Sequence, residues 1–189
     1  MADGSTHPMG TVATADGGVV RLWPWAEGTA FKDNLAQLAS GVAIAACWTP
    51  RGPQGLLVSS ITGLSAEPPR MLFCVRKASS SHAALLRADA VGLSILGEGQ
   101  RDEAERFSRS DRAAERFGSG WSLSSEAPPV LAGSLATLSG PVRSRIDAGS
   151  HTIFILDVSQ VCSRAGPPLL YVQRDYAVVA GRHSAQAFQ

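Results

Sequence analysis

Apolar residues in this chain collect in short blocks separated by glycine and proline, and only once do they recur at helical spacing. Phe31, Leu35 and Leu38 follow that spacing, which predicts a helix, and Gly41 is placed to end it. Residues 42–48 are an almost unbroken apolar run, the mark of a buried strand. Pro50, Arg51, Gly52 and Pro53 make a turn, because proline fixes one dihedral while glycine tolerates unusual ones. A second strand begins over 56–60 and ends before Pro68 and Pro69. Residues 71–75 and 91–96 read as further strands. Between them a short helix at 83–86 would be capped by Ser79, Ser80 or Ser81. Segments 101–107 and 112–117 are charged, polar-faced helices, and a loop follows over 118–129. The last third predicts antiparallel hairpins, with β-rich segments at 135–146, 152–161 and 169–172 divided by Gly and Pro signals. Strands predominate and the helices are short, so the expected fold is mainly β (α+β), a small barrel and not a parallel sheet.

Composition narrows the partners. A chain of 189 residues suits one domain. We place it at residues 29–180, after an N-terminal arm (1–28) rich in Gly, Ala, Thr and Asp and before a tail (181–189). Trp23 and Trp25 interrupt the polarity of the arm, and such indoles bury on the barrel or on a neighbouring subunit, which favours a homodimer. Hydrophobic residues make up 44% and charged residues 17%, with a net charge of +1. That balance gives no electrostatic case for nucleic acid or an anionic membrane surface. No apolar run approaches the roughly 20 residues that cross a bilayer, and the first ten residues lack the pattern of a secretory signal. Cys47, Cys74 and Cys162 include no C-x-x-C pair and sit in apolar, strand-like contexts, so they read as reduced core thiols of a cytoplasmic protein.

Side-chain catalysis has little support. Gly97 and Gly99 form a G-x-G, but Asp102 stands where the third glycine of a dinucleotide fingerprint belongs. There is no phosphate-binding P-loop and no G-x-S-x-G, and His7, His82, His151 and His183 are too scattered for a metal cage. A cofactor enzyme asks less of its side chains, which only bind and orient. Ser59, Ser60, Thr62, Gly63 and Ser65 combine small hydroxyls with bare backbone, as a loop against a polar-edged planar ring requires. The same residues also suit a plain serine-rich turn. Arg76 and Lys77 precede Ser79, Ser80 and Ser81, a combination that suits a phosphate or, equally, a solvated strand end. His151 stands at a strand start, as a donor to a ligand edge or as a turn residue. Tyr171 and Tyr176 frame a polar stretch and could close a pocket over a planar ligand or edge the core.

In this order the segments resemble the short-chain flavin reductase family, the reductase components of two-component flavin-dependent monooxygenases. The resemblance runs from about Phe31 to about Val178. It includes Ser40-Gly41-Val42, the stretch from Gly55 to Ser65 with Pro68-Pro69, and Ser79…Ser81-His82. It continues through the Gln100…Phe107 helix, Gly149-Ser150-His151-Thr152-Ile153 and Pro168-Leu169-Leu170-Tyr171 with Tyr176. It implies an FMN-binding split β-barrel with short peripheral helices, usually a homodimer, that holds FMN or FAD and is reduced by NADH or NADPH. A partner monooxygenase would receive the reduced flavin. By position, Leu57, Val58, Ser59, Ser60 and Ser65 would line the flavin ring. Arg76, Lys77, Ser79 and Ser81 would hold the ribityl phosphate, with Gln100 and Phe107 nearby. His151, the catalytic candidate, and Tyr176 would border the nicotinamide side. The chain departs from the family pattern at Leu57, Ile61 and Arg76, and at Leu156, where many relatives carry glycine. A bulky Leu156 on the nicotinamide side keeps a second expectation in view: a split-barrel flavin- or haem-binding protein without nicotinamide turnover.

Overall fold

The computed structural model describes residues 10–13, 19–22 and 25–179, so Trp23 and the 181–189 tail lie outside the described residues. Two compact units divide the chain, Met1–Leu38 and Ala39–Gln189. Within the stretch expected to be an arm, β1 (Gly10–Ala13) pairs antiparallel with β2 (Val19–Leu22). Helix α1 (Gly28–Leu35) starts earlier than the apolar spacing predicts, because the Glu27 carboxylate caps it, accepting from the Thr29 and Ala30 amides at 2.8 and 2.6 Å. It ends at Leu35, and Gly41 belongs to a strand instead of a helix cap. Trp25 is 99% exposed, and Phe31, Leu35 and Leu38 are each more than half exposed.

The second unit runs β3 (Ser40–Gly41), β4 (Ala43–Thr49), β5 (Gly52–Val58), β6 (Ile61–Ser65), β7 (Arg70–Arg76), α2 (His82–Arg87) and β8 (Ala90–Ile95). Helix α3 (Arg101–Ser108) follows, then a 3-10 stretch (Ser110–Glu115), β9 (Trp121–Ser122) and β10 (Val130–Leu131). The chain closes with β11 (Ala136–Ala148), β12 (His151–Asp157), β13 (Gln160–Ser163), β14 (Leu169–Val172) and β15 (Asp175–Val178). One curled antiparallel sheet has the order β5-β4-β8-β11-β12-β7-β6, with β13 also on β11, and a smaller sheet joins β15, β14 and β3. This is the expected split barrel. Its hinge is β11, which pairs with β8 and β13 along its first half and with β12 along its second, past an irregularity between Val142 and Ser144. At Gly140, near that change of partner, an added Cβ would stand 1.9 Å from the Asp157 carbonyl oxygen. Only glycine permits so close a crossing.

β4 explains why its sequence shows no polar alternation. Ala43, Ala45 and Cys47 face the barrel core with Val91, Leu93, Phe73 and Phe154. Ile44, with Val42 just before the strand, faces a second cluster that includes Leu96, Ala104, Phe107, Leu131 and Leu169. Both faces are covered, so both are apolar. Phe73 and Phe154 stack with ring centroids 5.1 Å apart and are fully buried, each contributing about 2–3 kcal/mol through burial alone.

Several boundaries differ from the sequence expectation for physical reasons. The segment that begins at Leu56 is two strands, because the chain bends at Ser59-Ser60 and exchanges β4 for β7 as its partner. The 152–161 segment divides likewise between β12 and β13, and the 112–117 helix is a tighter 3-10 stretch that begins at Ser110. Of the three thiols only Cys47 is a core residue; Cys74 is half-buried and Cys162 exposed. Burial pushes the Cys47 thiol up to about 11. Leu156 is 1% exposed within the core cluster. Its bulk therefore faces the barrel interior.

Candidate functional site

β5 stands at one end of the sheet order and β7 near the other, and both supply walls to one cavity of about 850 Å³. That volume lies high in the roughly 300–1,000 Å³ range of small-molecule sites. Leu56, Leu57 and Ser59 come from β5 and its end, with Val42 beside them. Arg76 ends β7 and leads into Ala78, Ser79 and Ser80. Phe107 and Ser108 come from the end of α3, and Ser110 and Arg116 from the segment beyond it. The β14–β15 hairpin adds Tyr171, Arg174, Asp175 and Tyr176, and Arg101 opens α3.

The corner at Arg76 is built from main chain as much as from side chains. The Ser79 amide donates to Arg76 O at 3.0 Å and the His82 amide to Ser79 O at 3.1 Å. The Ala78 and Ser80 amides have no acceptor among the described residues. Free N–H groups beside a guanidinium and serine hydroxyls make an anion-binding concavity. Ser81 holds this loop in place from below: its hydroxyl donates to Gly55 O at 2.9 Å and does not cap α2.

The hairpin forms the opposite wall. Gln173 and Arg174 at its tip have φ of 51° and 64°, a left-handed conformation costly for residues with a Cβ. Arg101 anchors the hairpin, reaching Asp175 at 3.1 Å and Glu105 at 2.9 Å, with its guanidinium carbon 5.2 Å from the Tyr176 ring centre. Tyr171 and Tyr176 meet edge to face at 5.4 Å. Burial pushes the Tyr176 hydroxyl up, which keeps it a neutral donor.

The cavity gathers Leu57, Ser59, Arg76, Ser79, Phe107 and Tyr176 from the sequence candidates. The others stand elsewhere. Val58 points into the barrel core and Ser81 is buried under the loop. Lys77 pairs with Asp147 at 2.6 Å, and Gln100 accepts from the Gly97 amide at 2.9 Å. Ser60 lies at the bend, and Ser65 donates to Pro68 O at 2.6 Å. His151 is exposed on β12, paired in register with Arg76 but outside the lining, and its Nδ1 lies 2.8 Å from the Ser150 hydroxyl. The sequence reading missed Arg101, Arg116 and Arg174. Each sits among charged or turn residues of ordinary appearance, and only the fold turns them toward one space.

Apolar and aromatic walls, serine hydroxyls and an arginine-flanked amide corner are the features that a planar, phosphorylated cofactor would require. Residues 35–180 match the family model of the flavin reductase like domain, and the chain belongs to that family. It is similar to the FMN reductase (NADH) SmoA of Agrobacterium fabrum, 33% identical over 141 residues that cover 75% of this chain and 80% of that one. It is 34% identical over 148 residues to HsaB, the reductase subunit of a flavin-dependent monooxygenase of Rhodococcus jostii, covering 77% and 75% of the two chains. Among solved structures, a flavin reductase domain protein from Arthrobacter sp. FB24 matches with a TM-score of 0.75 at 28% identity, covering 83% of this chain and 99% of that one. Among the described residues no helix is long and apolar enough to cross a membrane.

Proposed function

We propose that the protein is an NAD(P)H-dependent flavin reductase that reduces FMN or FAD by hydride transfer and supplies reduced flavin to a partner monooxygenase. One observation carries the reading: a single cavity joins an apolar wall at Leu57 and two tyrosines to the amide and guanidinium corner at Arg76–Ser80. A flavin has that composition, a planar ring at one end and a phosphate at the other. When bound, it supplies the hydride-accepting chemistry. Leu57 and Ser59 would lie along the ring, and Tyr176 would close over it with its position fixed by Arg101. Arg76, Ser79 and the Ala78 and Ser80 amides would hold the ribityl phosphate. His151, on the strand beside Arg76, would meet the nicotinamide from the open side. The relatives named for NADH and for a monooxygenase support the donor and the recipient.

In the assay that tests this, purified protein with added FMN or FAD oxidises NADH or NADPH well above the free-flavin background. A rate equal to that background removes the reductase reading. His151→Ala should lower kcat/KM for the nicotinamide several-fold while flavin affinity stays unchanged; an unaltered kcat/KM would remove His151 from the reaction.

A homodimer belongs to the same proposal. Trp25 and the Phe31, Leu35 and Leu38 stripe are exposed apolar residues, and a second copy would cover them. Sedimentation of the free protein at the mass of one chain would dispose of the dimer. The three free cysteines fit a cytoplasmic location, where thiols stay reduced.

A further inference from the structure

Arg116 differs in kind from the other cations around the cavity. Its Nε donates to Arg106 O at 3.0 Å, one Nη to Gly55 O at 3.1 Å and the other to Arg109 O at 2.7 Å. It lies over the Phe107 ring at 5.3 Å. No carboxylate among the described residues pairs with it, although five stand on the same stretch of chain. Asp102, Glu103 and Glu115 are taken by Arg106 and Arg112, Asp111 by Arg109, and Glu105 by Arg101. A half-buried guanidinium fixed by three carbonyls is therefore a positive charge with no counter-ion among the described residues, and burial lowers its pKa. It keeps N–H donors beyond the three in use, and Ser110 and Ser108, whose hydroxyl donates to Glu105 O, line the same cavity.

The flavin's own phosphate is already matched by Arg76, Ser79 and the free amides, which reach the cavity from a different element. We propose that Arg116 anchors a second phosphoryl group, so that the cavity recognises the pyrophosphate of a dinucleotide. This rests on the reductase reading above. The pyrophosphate has two sources, FAD and the nicotinamide dinucleotide, and both present the same chemistry to a guanidinium.

Titrating FMN, FAD and riboflavin into wild-type and Arg116→Gln protein, with the KM for NADH measured alongside, separates the outcomes. If the flavin dinucleotide is the ligand, the ratio of FAD to FMN affinity falls about tenfold. If the nicotinamide dinucleotide is the ligand, that ratio holds while the KM for NADH rises by about the same factor. Arg116→Lys, which keeps the charge without the fork of donors, recovers part of either effect. A purely structural Arg116 would weaken FMN, FAD and riboflavin alike and leave ratio and KM unmoved; that result overturns the proposal, as does no change at all. Wild-type protein that binds neither flavin sinks the reductase reading and this inference with it.

Discussion

Replacing Ser79 by glutamate lowers the affinity for FMN about a hundredfold, or roughly 2.7 kcal/mol. Ser79 lines the cavity in the loop that leaves Arg76, between two amides that have no acceptor among the described residues. A carboxylate there repels a phosphate dianion and supplies Arg76 with an internal partner. Like charges brought together in this way cost several kcal/mol. Ser79→Gln, similar in size and uncharged, separates the charge from the bulk and from the lost contact between Ser79 Oγ and the Ser81 amide, a long one at 3.4 Å. Riboflavin, which lacks the phosphate, should bind both variants alike. Fluorescence titration reads all of these. If FMN binds Ser79→Glu as it binds the wild type, the phosphate lies in another part of the cavity.

Gly140→Ala has the largest expected effect on stability, a loss of about 3 kcal/mol or more. The new Cβ would stand 1.9 Å from the Asp157 carbonyl oxygen, a main-chain atom that cannot swing aside. Asp157 is fixed in turn by β7, through its pairing with Arg70 and a 2.7 Å ion pair with the same residue. β11 must therefore move away just where it changes partner. Gly99→Ala is the control, because nothing lies within 4 Å of a Cβ built there. Denaturant midpoints of the two variants compare them directly, and coincident midpoints would mean that the crossing yields at little cost.

Much of this architecture was legible in the chain. The apolar run of β4 signals a strand covered twice, and the Gly and Pro punctuation of the last third marks the hairpins. The break at Ser59-Ser60 was not legible, because strands on either side of a partner change have the same two-residue periodicity. Ser81 is one of three serines that the sequence offers as a helix cap, yet its hydroxyl is drawn to Gly55 O across the fold. Leu156 suggested a blocked ligand face until the strand's alternation turned it inward. Arg116 was the least visible. In sequence it belongs to a charged, solvated segment, and its isolation depends on which neighbouring carboxylates the other arginines capture.

Leu57 and Ser59 border the cavity from β5 and Arg76 from β7, two strands that share no ladder of hydrogen bonds. A ligand gripping both sides acts as a clasp across the gap. Its binding energy is then linked to closure of the barrel, about 2.7 kcal/mol at a hundredfold excess over Kd. A reductase that gives its flavin away works part of each cycle unclasped. In that interval the two walls are held by the Ser81 hydroxyl's bond to Gly55 O and by the strand ladder, of which β11, continuous through both halves of the sheet, is the spine.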